Sequence, residues 1–334
     1  MTETSTERPP ARRSWRDVDM RAVAPFVALV VLMIFGASLN PSFVSLDNML
    51  NVLSRSAFIA IIAIGMTFVI SAGGLDLSVG SMAAFVAGTM ILFMNAAPVG
   101  GDVALIAAAM VMALITGALC GLANGLFVTM GRLEPFIVTL GTMSIFRALT
   151  IWLAEGGSIA VASRDLRAAY RPVYFGEVWG VPVPVIVILV VAVAGAILLN
   201  RTAFGRHVIA VGSNEEVARY SGIPVGRVRT LTYVILGICV AISVLVYVPR
   251  LGSATATTGL MWELQAITAV VIGGTALRGG VGRIWGTVCG ALILELIGNI
   301  MVLSDLVSEY LIGAVQGAII IVAMLVQRAL SRGR

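Results

Sequence analysis

The sequence predicts an all-α, polytopic membrane protein of about ten transmembrane helices, with amino and carboxyl termini cytoplasmic. Hydrophobic residues make up 59% of the 334-residue chain and charged residues 12%, about half the charged share usual in a soluble domain. Mean hydropathy is +1.02, more apolar surface than a soluble core can hide. The apolar residues also fall into runs near the length of a membrane span, divided by short polar links.

Residues 1–21 read as a polar cytoplasmic tail, expected to be disordered, with Arg8, Arg12, Arg13, Arg16 and Arg21. They show no apolar core followed by a small-residue cleavage site, so no signal peptide is expected. A single transmembrane domain is expected over 22–328. Its first span is 22–39, ending before Asn40-Pro41. Ser45-Leu46-Asp47-Asn48 offers caps for a short amphipathic segment. Spans two and three, 57–71 and 79–95, flank an interruption at 71–78. The fourth, 103–130, carries Gly117, Gly121 and Gly125. That spacing reads either as a close-packing stripe or as ordinary glycine enrichment in membrane helices. The fifth, 135–154, embeds Arg147, and a polar loop over 155–181 follows. The sixth, 182–199, enters through Pro182 and Pro184, and a second polar loop covers 200–229. The seventh is 230–248, followed by a Thr-rich link over 249–263. The eighth and ninth, 264–277 and 284–303, are joined by 278–283. The tenth is 310–327, and 329–334 is a cytoplasmic tail.

Arginine decides orientation. The net charge of +5 rests on Arg alone, because the chain has no Lys. With the amino terminus inside, sixteen Arg fall in cytoplasmic segments and five outside, Arg147 lying within a span. Such charge reads as loop charge before nucleic-acid affinity, and no nucleic-acid partner is expected. Cys120, Cys239 and Cys289 lie in separate apolar runs and read as packing residues.

The interruption organises the chain. Ser71-Ala72-Gly73-Gly74-Leu75-Asp76-Leu77-Ser78 divides two apolar runs, each a little short of a full span. Irregular backbone at membrane depth is tolerated where protein covers it or where it lines a watery cavity. Short Gly-interrupted segments point to a transporter's binding region. Gly73, Gly74, Asp76 and Ser78 are therefore candidates for a translocation pathway; the competing reading is a tight surface turn with Asp76 capping the next helix. A weak internal echo relates 69–80 to 271–282 at an offset of 202.

In the 200–229 loop, Ser213-Asn214-Glu215-Glu216 matches a capping box, with Ser213 capping the Glu216 amide. Gly222 supplies a left-handed stop and Pro224 follows. One helix is expected over 214–221, too short to persist in water without docking, with Val217, Arg219 and Tyr220 as contacts. His207 just before it reads as a structural surface residue.

Without Lys, a P-loop and a Lys Schiff base are both ruled out. One His and three dispersed Cys do not build a zinc or cysteine-protease site. A transporter subunit rather than an enzyme is expected, with no cofactor or metal bound by this chain.

The stretch Gly65–Gly88, GMTFVISAGGLDLSVGSMAAFVAG, closely resembles the GMTxVIxxGGIDLSVGS signature of the membrane permeases of sugar ABC importers, the ribose- and xylose-permease-like, binding-protein-dependent family. EPFIVTLGTMSIFRAL (134–149), GRHVIAVGSNEEVARYSGI (205–223) and VIGGTALRGGVGRIWGTVCGAL (271–292) match in the same order. The resemblance implies a monosaccharide permease of the bacterial cytoplasmic membrane, embedded in lipid and paired with a second permease subunit. Two ATP-binding subunits, or one tandem ATPase, would use ATP-Mg below, and a periplasmic or extracellular sugar-binding protein would dock outside. It also implies that the short cytoplasmic helix couples to the ATPase, through Ser213, Asn214, Glu215, Glu216, Arg219 and Gly222. Arg278 and Arg283 depart from the family pattern, where small or hydroxyl residues are common. The alternative class is an ion-coupled secondary transporter or channel, with Asp76, Arg147 and Glu295 as relay candidates.

Overall fold

The computed structural model describes residues 20–97 and 100–304, with a few isolated residues between 311 and 321. Most of the expected tenth span and all but the last two residues of the amino-terminal tail lie outside the described residues, as does the carboxyl-terminal tail.

Among the described residues, seven helices are long and apolar enough to cross a membrane. They are α2 (Leu46–Ser71), α3 (Val79–Ala96), α4 (Asp102–Thr129), α5 (Pro135–Leu153), α8 (Val183–Arg201), α11 (Val225–Leu251) and α13 (Ile284–Ser304). Helix α1 (Met20–Leu39) precedes them, and α12 (Trp262–Ile272) is a shorter apolar helix. Helices α6 (Arg164–Tyr170) and α7 (Pro172–Phe175) lie in the first polar loop, and α9 (Ala203–Ser213) and α10 (Glu215–Tyr220) in the second.

The longest differences from the sequence reading have local causes. Helix α2 absorbs the expected separate amphipathic segment. Ser45 Oγ accepts from the Asn48 amide at 3.3 Å, and no Pro or Gly breaks the run before Gly65. Helix α12 stops at Ile272, short of 277, because Gly273-Gly274 turns the chain. Its 11 residues reach about 16 Å, half of a hydrocarbon core about 30 Å thick. Strands also occur: β1 (Ser158–Ala160) pairs antiparallel with β4 (Ser253–Thr255), and β2 (Glu177–Val178) with β3 (Val181–Pro182). The first ladder stitches the two polar links at one end of the bundle together.

Helix α2 is the axis, with 83% of its apolar window buried. Beside it α4 and α11 pack backbone to backbone. A Cβ on Gly117 would stand 2.4 Å from the Gly237 carbonyl oxygen, and one on Gly121 2.2 Å from that of Tyr233. The Gly117, Gly121, Gly125 spacing is thus a close-packing stripe, with van der Waals contact replacing a hydrophobic drive that lipid does not supply.

The internal echo has a structural counterpart. Helices α2 and α12 end alike: the Gly73 amide donates to Ile70 and that of Gly74 to Val69, while Gly274 donates to Val271 and Thr275 to Val270. Gly73 and Gly274 have φ +78 and +84, which glycine adopts without a steric cost. The matched residues sit 201 apart, one register from the sequence match. The two turns touch, since the Gly280 amide donates to the Ser71 carbonyl at 3.0 Å.

Candidate functional site

Four pathway candidates divide into two pairs. Gly73 is exposed at the turn and Gly74 is tightly packed, a Cβ there standing 3.0 Å from Tyr233 Oη. Asp76 and Ser78 are completely buried. Asp76 Oδ1 accepts from the Ser78 amide at 2.8 Å and the Ser78 hydroxyl at 2.6 Å. Asn124 Nδ2, from α4, donates to Asp76 Oδ2 at 2.9 Å and Ser78 Oγ at 2.8 Å. Tyr233 Oη donates to the Leu75 carbonyl at 3.1 Å. A buried carboxylate is tolerable only when hydrogen-bonded in this way. Asp76 therefore braces the extended link between α2 and α3 against α4 and makes the turn that starts α3, while Gly73 alone opens outward.

Gly73 faces a cleft of about 930 Å³ lined also by Arg132, Glu134, Glu215, Arg219 and Arg229. Helix α10 forms one wall. Its capping residue is Asn214, not Ser213: Asn214 Oδ1 accepts from the Val217 amide at 3.0 Å, whereas Ser213 ends α9 and donates its hydroxyl to the Ile209 carbonyl at 2.8 Å. Both residue types can cap, and the extended backbone of Asn214, φ −160 and ψ 108, selects it. Glu215, one of the two expected coupling carboxylates, pairs with Arg219 at 2.7 Å and Arg229 at 2.8 Å. Gly222 has φ +79 and ends the helix in the left-handed geometry. The helix is six residues long, Glu215–Tyr220, not the eight expected. Val217 and Tyr220 expose 58% and 87% of their surface, an unpartnered face on a helix too short to stand alone. Helix α9 was not expected. Its cap, Thr202 Oγ1 accepting from Gly205 at 3.1 Å, follows directly on the end of α8. His207 lies within it.

At the other end, three arginines of one loop meet a fourth that is distant in sequence. Arg164, Arg167 and Arg171 from the first polar loop and Arg250 from α11 line a pocket of about 460 Å³ with Phe175 and Leu251. Arg250 also lies over the rings of Phe58 and Tyr174, at 5.7 and 5.8 Å. Tyr170 anchors this loop by donating to the Leu245 carbonyl at 2.8 Å, and burial pushes its hydroxyl pKa up. The two other relay candidates also have partners. Glu295 on α13 pairs with Arg55 on α2 at 2.8 Å, and Arg147 donates to main-chain carbonyls of Ala256 and Thr258. Asn124 and Arg229 were not singled out from the sequence. Asn124 had a signal, a lone amide inside an apolar run, which must find a partner when buried; Arg229 had none.

A family model described as branched-chain amino acid transport system / permease component matches residues 48–324. The ribose import permease protein RbsC of Bacillus subtilis is 41% identical over 315 residues, covering 92% of this chain and 93% of its own. The ribose import permease protein RbsC of Haemophilus influenzae is 37% identical, covering 90% and 91%. The D-allose transport system permease protein AlsC of Escherichia coli strain K12 is 35% identical, covering 92% and 91%.

Proposed function

The chain belongs to the permease-component family whose model spans residues 48–324, a family of multi-pass membrane transport subunits, and from that premise we propose that it is the membrane subunit of an ATP-driven monosaccharide importer. It receives a ribose- or xylose-like sugar from a binding protein on the outer face of a bacterial cytoplasmic membrane and passes it inward. A separate ATPase, two subunits or one tandem chain, hydrolyses ATP-Mg; this chain binds no nucleotide. Both termini are cytoplasmic, and the chain works paired with a second permease subunit.

The observation that carries the reading is α10. A six-residue helix is held by an Asn cap, a Gly stop and a double ion pair, yet among the described residues Val217 and Tyr220 stay mostly exposed. A short helix kept rigid with a bare apolar face suits recognition by a groove on a partner. On this reading the α9–α10 end is cytoplasmic and docks the ATPase. The arginine-lined pocket at the opposite end then faces the binding protein.

The secondary-transporter alternative fares less well. A proton or ion relay needs connected ionisable groups, whereas Asp76, Arg147 and Glu295 each engage a different set of partners.

The family description names branched-chain amino acids, while relatives at 35–41% identity are named for ribose and allose. Substrate class is tested in proteoliposomes holding the permease, its ATPase and ATP, with the binding protein outside. Ribose, allose, xylose and leucine are offered in parallel. Uptake of a sugar with leucine excluded is expected; uptake of leucine alone would overturn the sugar reading.

A further inference from the structure

Arg147 is a cation on a helix apolar enough to span a membrane, and the function proposed above gives it no task. Its Nη1 donates to the Ala256 carbonyl and, at 2.9 Å, to that of Thr258. Ionisable groups inside membranes are costly, and they pair with one another or with main-chain carbonyls along transport routes. The carbonyls belong to residues 256–261, the irregular link between β4 and α12.

That link is held from a second side. Gly259 has φ +71, and a Cβ on it would stand 2.3 Å from the Gly80 oxygen; a Cβ on Gly80 would stand 2.1 Å from the Gly259 oxygen and 2.5 Å from Glu263 Oε2. Helix α3 and the link thus meet backbone to backbone. Met261, at φ +67, sits in the left-handed region, which a side chain of its size adopts only where the surroundings impose it. Beside these anchors, Thr257, Leu260 and Met261 are exposed. The helix that follows is α12, half a span long. Irregular backbone leading into a short helix marks a transporter's route when it lines a cavity.

We propose that Arg147 is a positioning residue: it clasps the 256–261 link, and so fixes the head of α12, as one wall of the sugar route. The proposal rests on the importer reading. A planar guanidinium suits two carbonyls at once, whereas an ammonium is a point charge, so Lys should serve only in part.

The test uses the full complex of permease, ATPase and binding protein in proteoliposomes, with Cys120, Cys239 and Cys289 replaced by Ala and Thr257→Cys as reporter. Arg147→Met should speed modification of the 257 thiol by a charged, water-soluble reagent, and slow sugar uptake, each by about fivefold or more. The ATPase should co-purify in undiminished amount, and Arg147→Lys should fall between on both readouts. Should Arg147→Met fail to insert, Gly80→Ala pushes the Gly259 carbonyl from the α3 side with Arg147 intact, and the same rise in modification is expected. Unchanged modification and uptake in Arg147→Met would overturn the proposal. So would lost uptake with modification unchanged, which a merely structural role gives. A parent complex with no ATP-dependent uptake would instead count against the importer reading, leaving the modification rates to decide the clasp.

Discussion

Glu215 Oε2 lies 2.8 Å from Arg229 Nη2, tying α10 to the amino-terminal end of α11. The same carboxylate holds Arg219 through its other oxygen. On the importer reading, a push on α10 would reach α11, which packs beside α2 and α4.

Breaking that tie should uncouple rather than unfold. Both side chains are partly solvated, so the pair adds about 0.5–1 kcal/mol at most. Arg229→Gln is expected to leave thermal unfolding nearly unchanged while sugar-stimulated ATP hydrolysis falls. The swap Glu215→Arg with Arg229→Glu should restore part of it. A large drop in unfolding temperature for Arg229→Gln would assign the pair to the fold instead.

The cap assignment makes a sharper test of α10. Asn214→Ala should cost about 1 kcal/mol locally and weaken ATPase recruitment, as should Gly222→Val, which forces a β-branched residue into left-handed backbone. Ser213→Ala should be nearly silent, because its hydroxyl serves α9, and Glu216→Ala should be mild. Co-purification of the ATPase with each variant is the readout. Equal losses for Ser213→Ala and Asn214→Ala would refute the cap assignment.

Asp76 is expected to behave as a brace. Asp76→Leu strands the buried donors of Ser78 and Asn124, at about 1–3 kcal/mol for each unsatisfied group, and should reduce the amount of folded protein. Asp76→Asn should be tolerated better, since an amide still accepts at one oxygen. Wild-type yield of Asp76→Leu with abolished uptake would restore a direct pathway role.

The pocket formed by Arg164, Arg167, Arg171 and Arg250 should dock an acidic surface. Arg250→Glu, and Arg164→Glu with Arg167→Glu, are expected to slow association of the binding protein at low salt. The difference from the parent should shrink as ionic strength rises, because exposed charges mainly steer encounter. Identical association rates at low salt would remove the pocket from the docking face.

What was legible in the sequence followed from local chemistry. Apolar runs located the seven helices of membrane-crossing length among the described residues, the pair Gly73-Gly74 located the break after α2, and Gly222 located the end of α10. What was hidden depended on partners distant in sequence. Nothing near Asp76 announces Asn124, and nothing near Ser158 announces Thr255, its partner in the β1–β4 ladder. The choice of Asn214 over Ser213 rested on backbone angles that two adjacent cap formers leave undecided. Helix α9 was missed because its Thr202 cap follows on Arg201 without a break in the pattern. Arg250 joins Arg164, Arg167 and Arg171 only because α11 runs on to Leu251.

On the importer reading, this chain moves sugar only when an ATPase works through α10. The most direct measurement is sugar uptake into proteoliposomes with ATP inside and binding protein outside, with and without the ATPase, with vanadate, and with all ion gradients collapsed. Uptake that requires the ATPase, stops with vanadate, survives loss of the gradients and falls in Gly222→Val is the predicted result. Uptake indifferent to the ATPase and to Gly222→Val, but lost when the gradients collapse, would contradict it.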